Sequence, residues 1–345
     1  MITQTRRRAL RTTTAAFLLG ASLMATNLAG SLAAQAEPLK VVGFAGASNW
    51  PFWVGQEKGF FAKEQIEATF DITPNSVEMA KNLNAGKYDL AFSSVDNIVA
   101  YDEGQGEAKI EGPVSFVSLF GVDNGLLSLM ATPDIKDIKD LKGKTVSVDA
   151  MTTGYAFVQR ELLANHGVAE SDVTWTKVGG GAQRLEALMK KEQSATLLNT
   201  PLDLAAESKG FVRLIRAKDE LGGYQGIVAA VKKDAIESKR ALYVRFIRGF
   251  HASVNWLADP ANKDEALALL MGKMRTMDRD SGEKAYVALL DPKDGIYRDL
   301  KISRDGMKTV LRLRSKYAEP QKTLTNPEAY IDESLLAEAM KKPSN

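Results

Sequence analysis

Lys142-Gly143-Lys144-Thr145-Val146-Ser147-Val148-Asp149-Ala150-Met151-Thr152-Thr153-Gly154-Tyr155 is the stretch on which the fold turns. It reads as a turn, a strand over residues 145–148, a hydroxyl-rich loop, and a helix over residues 155–165. Tyr155, Val158 and Leu162 share one face of that helix. The same alternation has already run once upstream. Strands are predicted at 39–45, 66–72, 90–93, 114–120 and 126–131. Helices are predicted at 53–63, ending near Gly59, and at 77–85 and 97–101, the second closed by Gly86. Downstream the unit continues with strands at 173–178, 195–198 and 211–215 and helices at 183–191 and 202–208. Gly222-Gly223-Tyr224-Gln225-Gly226 interrupts it, and a β run follows at 227–231. Strands alternating with helices predict βαβ units and mainly parallel sheets.

Beyond Lys232 the pattern turns helical. Tyr243, Phe246, Ile247, Phe250, Val254 and Leu257 form a buried stripe at helical spacing, and Asp259-Pro260 ends that helix. Further helices are predicted toward Met274 and over 283–289, 304–317 and 334–340. This order fits an α/β lobe that is left, followed by a second α/β lobe, and then completed. The expected division is lobe 1 over residues 37–123 plus 227–345 and lobe 2 over residues 124–226. Two crossovers make a hinge, and the C-terminal strand ends of both lobes would face the cleft between them.

The chain has 345 residues, a formal net charge of +2, no cysteine and two histidines. Near-neutral charge argues against an electrostatic nucleic-acid binder. Without cysteine there is no disulfide scaffold, thiolate nucleophile or Cys-based metal site. No metal or cofactor is expected, and no catalytic constellation is visible. Residues 1–36 carry Arg6, Arg7, Arg8 and Arg11 and no acid. A short apolar region follows, then Ala34-Gln35-Ala36. This is the pattern of an export signal cleaved after Ala36. Thr5-Arg6-Arg7-Arg8-Ala9-Leu10-Arg11 resembles a twin-arginine motif, though Ala9 departs from it, so the general secretory route stays equally open. Removing these residues leaves a net charge of −2. The expectation is a periplasmic, monomeric protein with no membrane segment in its mature part.

Several segments are similar to the periplasmic solute-binding proteins of ABC importers, in the nitrate/sulfonate/taurine/thiamine-pyrimidine group. They are Trp53-Val54-Gly55-Gln56-Glu57-Lys58-Gly59-Phe60-Phe61, Asp89-Leu90-Ala91-Phe92, Leu141-Lys142-Gly143-Lys144-Thr145-Val146, the Asp149–Tyr155 loop, and Asn199-Thr200-Pro201. The resemblance implies a type II periplasmic-binding-protein fold with a hinge and an inter-lobe cleft. It further implies a small-molecule ligand and delivery to an ABC permease with its ATPase. An enzyme of pyrimidine or thiamine metabolism and a ligand sensor for a membrane receptor are the alternatives.

Candidate ligand contacts follow from chemistry at the predicted strand ends. Thr152, Thr153 and Gly154, with Tyr155, offer hydroxyls and free amides at a helix start, where anions are favoured. The same residues would equally serve as a plain N-cap. Ser93, Ser94 and Asp96 open the helix after the third strand, and they too could be cap and first-turn acid. Asn49 and Trp50 are expected to face the cleft as an aromatic wall, with Phe52 or Trp53 in the core. Asp123 falls at the first crossover and Tyr224 at the return. Asn199 sits on a cleft loop. Gly179-Gly180-Gly181 lacks a following Lys-Ser/Thr and is no P-loop. Arg184 reads more readily as a surface or structural residue. The expected ligand is a small organic solute, sulfonate- or carboxylate-like, or aromatic and pyrimidine-like.

Overall fold

The computed structural model describes residues 35–274 and 277–341. The export signal expected over 1–36 lies, but for its last two positions, outside the described residues.

The first sheet begins with β1 (Glu37–Gly43), α1 (Trp50–Glu57), α2 (Phe60–Lys63), β2 (Ile66–Ile72), α3 (Ser76–Asn84), β3 (Leu90–Ser94), α4 (Val95–Asp102) and β4 (Phe116–Gly121). The chain then crosses to a second sheet with β5 (Leu127–Ala131), β6 (Thr145–Val148), α5 (Gly154–Asn165), β7 (Thr174–Lys177) and α6 (Gly181–Met189). It continues with β8 (Ala195–Asn199), α7 (Leu202–Ser208), β9 (Val212–Arg216) and α8 (Ala217–Leu221). It returns with β10 (Ile227–Lys232) and ends in α9 (Ile236–Ala258), α10 (Lys263–Lys273), α11 (Arg279–Leu289), α12 (Arg304–Tyr317) and α13 (Ser334–Ala339).

Two five-stranded sheets result among the described residues, ordered β2-β1-β3-β10-β4 and β7-β6-β8-β5-β9. Four strands of each sheet share one direction, as the strand–helix alternation suggested, but one strand runs against them, so both sheets are mixed. β10 runs antiparallel to β3 and β4, and β5 antiparallel to β8 and β9. The reason is geometric. Each of these strands enters its sheet from the other lobe, through the hinge, and so arrives at the end where its neighbours finish. The remaining pairs, β1 with β2 and β3, and β6 with β7 and β8, are parallel. The predicted stripe on α9 is buried: Tyr243, Phe246, Ile247, Phe250 and Leu257 are fully enclosed. They join Phe52, Phe61, Phe92 and Phe120 in one aromatic core beneath the first sheet. The first predicted helix is split in two, because Gly59 takes a left-handed φ of 69° between α1 and α2.

At the hinge the two crossing segments touch. The buried Asp123 carboxylate accepts from the amides of Gly125 (2.8 Å) and Ile227 (3.1 Å) and from the Ser48 hydroxyl (2.5 Å). It therefore ties the outgoing segment to the returning one. Burial raises its pKa, against the pull of these donors. Gly226 lies so near the Gly125 backbone that no Cβ fits there.

α12 packs against both α4 and α5. Glu161 of α5 accepts from Arg312 (2.8 Å), Lys316 (2.6 Å) and Tyr317 (2.6 Å) of α12. Burial pushes the Glu161 carboxyl up, but the three donors together outweigh it and hold the pKa at about 2, below its ordinary 4.5. A depressed acid stabilises the fold above its ordinary pKa and loses that contribution as pH falls from 4.5 toward 2. At about 1.4 kcal/mol per pKa unit the contribution is at most ~3.5 kcal/mol, less in salt because Arg312 and Lys316 are half exposed. Glu161→Gln should therefore destabilise the protein at pH 7 and match wild type near pH 2. Urea unfolding at both pH values checks this; an equal deficit at both would refute it.

Candidate functional site

A small cavity of about 60 Å³ lies where β1, β3, β6 and β8 end. Both lobes line it. Phe44, Ala45, Ser94, Asn97 and Ile227 come from the side of the first sheet. Asp149, Thr153, Gly154, Tyr155, Gly180, Gly181, Arg184 and Asn199 come from the second. The volume holds only a handful of atoms, well below the about 300–1,000 Å³ of ordinary small-molecule sites. The lobes are in contact around it. The Gly180 amide donates to the Pro74 carbonyl (3.1 Å), Ser76 donates to Asp149 (2.5 Å), and Thr152 and Lys177 both reach Glu107 (3.1 and 2.5 Å).

Three helices begin at this cavity: α4 after Ser94, α5 after Thr153 and α6 after Gly180. None of the three N-cap residues makes a side-chain cap hydrogen bond. The Thr153 hydroxyl donates instead to the Ala150 carbonyl (3.0 Å). Apart from that of Val95, which donates to the Gly226 carbonyl (2.9 Å), the first-turn amides are left to whatever enters, and their partial positive charge favours an anion.

Arg184 strengthens that field. It is 4% exposed, and its guanidinium donates to the carbonyls of Gly179 (2.6 Å) and Leu197 (3.1 Å). Among the described residues no carboxylate forms an ion pair with it. Burial lowers its pKa, with Asp149 and Tyr155 opposing. Asp149 across the cavity offsets part of this charge, but a buried cation with no carboxylate at ion-pair distance is costly unless an anion completes it. Helix geometry explains its position. Arg184 stands on the first turn of α6, and helical side chains tilt toward the N-terminus, here toward the cavity.

Polar atoms around the cavity also lack partners. Ser94 Oγ, Asp149 Oδ1, Tyr155 OH and Tyr224 OH are all buried without a hydrogen bond. The Ser94 hydroxyl lies beside both phenols yet makes no well-formed bond to either. Burial raises the pKa of both tyrosines, so each is a neutral donor. Buried polar groups are ordinarily paired, so three orphans at one void, with Tyr224 OH just behind, indicate that something is meant to pair them.

Five expected residues line the cavity: Ser94, Thr153, Gly154, Tyr155 and Asn199. Tyr224 stands behind Tyr155, ring centroids 6.3 Å apart. Asn49 sits one layer back and donates to the Phe44 carbonyl (2.7 Å), which sets the loop that carries Phe44. Ser93 is buried and accepts from Asn97 (3.1 Å). Thr152 bonds Glu107 at the lobe contact. Three residues are elsewhere in role. Trp50 is fully buried in the core of the first lobe, edge-on to Tyr286 at 6.0 Å, so the expected aromatic wall is not at the cavity. Asp123 spends its oxygens on the hinge. Asp96 is spent on Arg314, at 2.8 and 2.5 Å. Sequence reasoning did not select Phe44, Asp149 or Arg184. The one available signal was a cation on the first turn of a helix that follows a glycine run.

A larger groove, about 660 Å³, flanks the hinge between α7, β9 and α8 and the face of α11. It is the weaker candidate. Its ions already pair with each other, Arg213 with Asp203 (3.1 Å) and Glu207 (3.0 Å), and Lys218 meets Asp294.

Among the described residues no helix is long and apolar enough to cross a membrane. The NMT1/THI5 like family model matches residues 47–263. A search of curated proteins returns no match. Solved structures are similar over nearly the whole chain. The periplasmic nitrate-binding protein NrtA from Synechocystis PCC 6803 has a TM-score of 0.69 at 14% identity, covering 88% of each chain. The alkanesulfonate-binding protein SsuA from Xanthomonas axonopodis pv. citri, bound to MOPS, has a TM-score of 0.66 at 13% identity, covering 89% of this chain and 98% of that one. A Candida albicans protein with the generic periplasmic binding protein fold scores 0.66 at 14% identity, covering 86% and 96%. At such identities the likeness is one of fold. With a family model spanning most of the chain, the protein belongs to the NMT1/THI5 like family and has the two-lobed fold of periplasmic solute-binding proteins.

Proposed function

We propose that the protein is an extracytoplasmic solute receptor that closes its lobes on a small organic solute bearing an acidic group. It then hands the solute to an ABC permease. The observation that carries this is the inter-lobe cavity with an unpaired buried guanidinium and three uncapped helix starts. A sulfonate or carboxylate would take the amides of α4, α5 or α6 and the charge of Arg184. Tyr155, Tyr224 and Ser94 would donate to remaining oxygens, and Asp149 Oδ1 would accept from a donor on the solute. Entry of anything beyond a few atoms requires the lobes to part, and the solute then favours closure by its tighter fit to the closed state. The names of the nitrate- and alkanesulfonate-binding neighbours agree with this class.

A planar nitrogen heterocycle is the second reading. Phe44 and Tyr155 put aromatic side chains at the cavity, and Asp149 suits a ring N–H or amino group. No step of catalysis is assigned to the site in either case. The division into lobe 1 (37–123 plus 227–345) and lobe 2 (124–226) fits this motion, since both boundaries fall in the hinge segments.

A thermal-shift screen of the protein against nitrate, alkanesulfonates, aromatic carboxylates and aminopyrimidines tests the proposal. A solute at 100 times its Kd should add about 2.7 kcal/mol of stability. A response to sulfonates or carboxylates is the expected result. A response to aminopyrimidines alone would favour the second reading, and no response from any class would overturn both.

A further inference from the structure

Arg314 is 0% exposed although it carries a full charge, and it bonds residues that stand next to the lining of the cavity on both of its sides. On one side it forms a two-pronged pair with Asp96 in the first turn of α4, at 2.8 and 2.5 Å. On the other it donates to the carbonyl of Thr152 at 2.8 Å, in the loop that leads into α5. Its guanidinium lies 5.0 Å from the ring centroid of Phe157, one turn further along α5. Gln105 accepts a weaker bond at 3.4 Å. α4 follows the first sheet's β3, and α5 follows the second sheet's β6. One side chain from a third helix, α12, therefore joins the helix starts of the two lobes at the point where they frame the cavity. Gly154 sits directly between, packed on Asp96.

We propose that Arg314 is a positioning residue of the solute site, a clamp that holds the Thr152–Gly154 loop against the start of α4 and so sets the closed geometry of the cavity. The clamp acts without touching solute. It cancels the Asp96 carboxylate, which would otherwise stand beside Tyr224 and Gly154 and repel an anion. It also fixes the carbonyl of Thr152, so that the α5 amides point into the void. A planar guanidinium suits this, because it can serve a carboxylate on one edge, a carbonyl on another and a ring on its face. The proposal rests on the solute-receptor reading, but its geometric part is testable without any solute.

The test uses the absence of native cysteine. Exposed Lys81 on α3 and Lys190 after α6 are replaced by Cys and spin-labelled, which reports the separation of the lobes. Three variants are compared with wild type: Arg314→Lys, Arg314→Met and the double variant Asp96→Asn/Arg314→Met. The double variant removes the stranded carboxylate and keeps the comparison valid if Arg314→Met does not fold. The expected result is that the double variant unfolds at the wild-type temperature but shifts the label distances to longer values. Its affinity for methanesulfonate should fall at least tenfold, and Arg314→Lys should lie between. A double variant with wild-type distances and affinity would overturn the clamp, leaving Arg314 as a counter-ion for folding only. If wild type ignores methanesulfonate, the anion reading fails, while the distance measurement still decides the clamp.

Discussion

Gly154→Val should abolish solute binding while leaving each lobe folded. A Cβ at this position would lie 2.6 Å from the Tyr224 hydroxyl and closer still to the Asp96 side chain. Neither neighbour gives way freely. Asp96 is held in the buried pair with Arg314, and Tyr224 is backed by Tyr155. Gly154 itself is the first residue of α5, so a larger residue meets no backbone strain there. Parting the lobes relieves the clash with Asp96, which stands on the other lobe, while the Tyr224 ring must shift within its own. Overpacking of this kind costs about 1–3 kcal/mol for one added carbon and more for a branched side chain. If that cost falls on the closed state alone, affinity drops about 5- to 150-fold for Gly154→Ala and further for Gly154→Val. Titration calorimetry with the solute found by screening measures the loss, and urea unfolding measures the intact fold. Unchanged affinity in the valine variant would remove the cavity from the site.

Arg184→Met should be the most damaging change at the cavity that alters charge without adding bulk. Truncating one partner of a buried, hydrogen-bonded charge pair costs about 2–5 kcal/mol, or ~30- to 5,000-fold in affinity. That loss should be confined to acidic solutes. A neutral analogue of the same shape should lose far less, and Arg184→Lys should recover part of the binding, since charge is kept but the fork is not. The carbonyls of Gly179 and Leu197 would each lose a donor, so some loss of fold stability, about 1–3 kcal/mol, is expected beside the binding effect. The ratio of acidic to neutral affinity separates the two. An unchanged ratio would show that Arg184 is structural, as its sequence context first suggested.

The two kinds of residue differ in how far they could be read ahead. The element order was legible nearly throughout: β2, β6, α7 and α12 fall on their expected bounds, and the α9 stripe is buried as spaced. Those features depend on residues three or four apart, or on a glycine or proline at an end. Sheet direction was not legible. Nothing local marks β5 and β10 as antiparallel, because their direction follows from the side by which the chain enters each sheet. Trp50 illustrates a similar limit. An aromatic after a strand can face a cleft or a core, and here α11 supplies the Tyr286 edge that holds it in the core.

For the site, the sequence by itself determined which loops carry the chemistry. Hydroxyls, amides and glycines gathered after predicted strands at 93–97, 149–155 and 199, because strand-to-helix junctions need residues that tolerate a turn and leave amides exposed. The tertiary structure alone decided what each side chain does there. Asp96 became half of an ion pair because Arg314 arrives from 218 positions away. Asp123 became a hinge tie because Ile227 returns 104 positions later. Arg184 faces the cavity without an ion pair because Asp149, the acid that shares the cavity, is bonded to Ser76 instead. Local sequence sets backbone conformation through nearest neighbours, whereas the fate of a buried charge depends on its partner, and partners are brought by the fold.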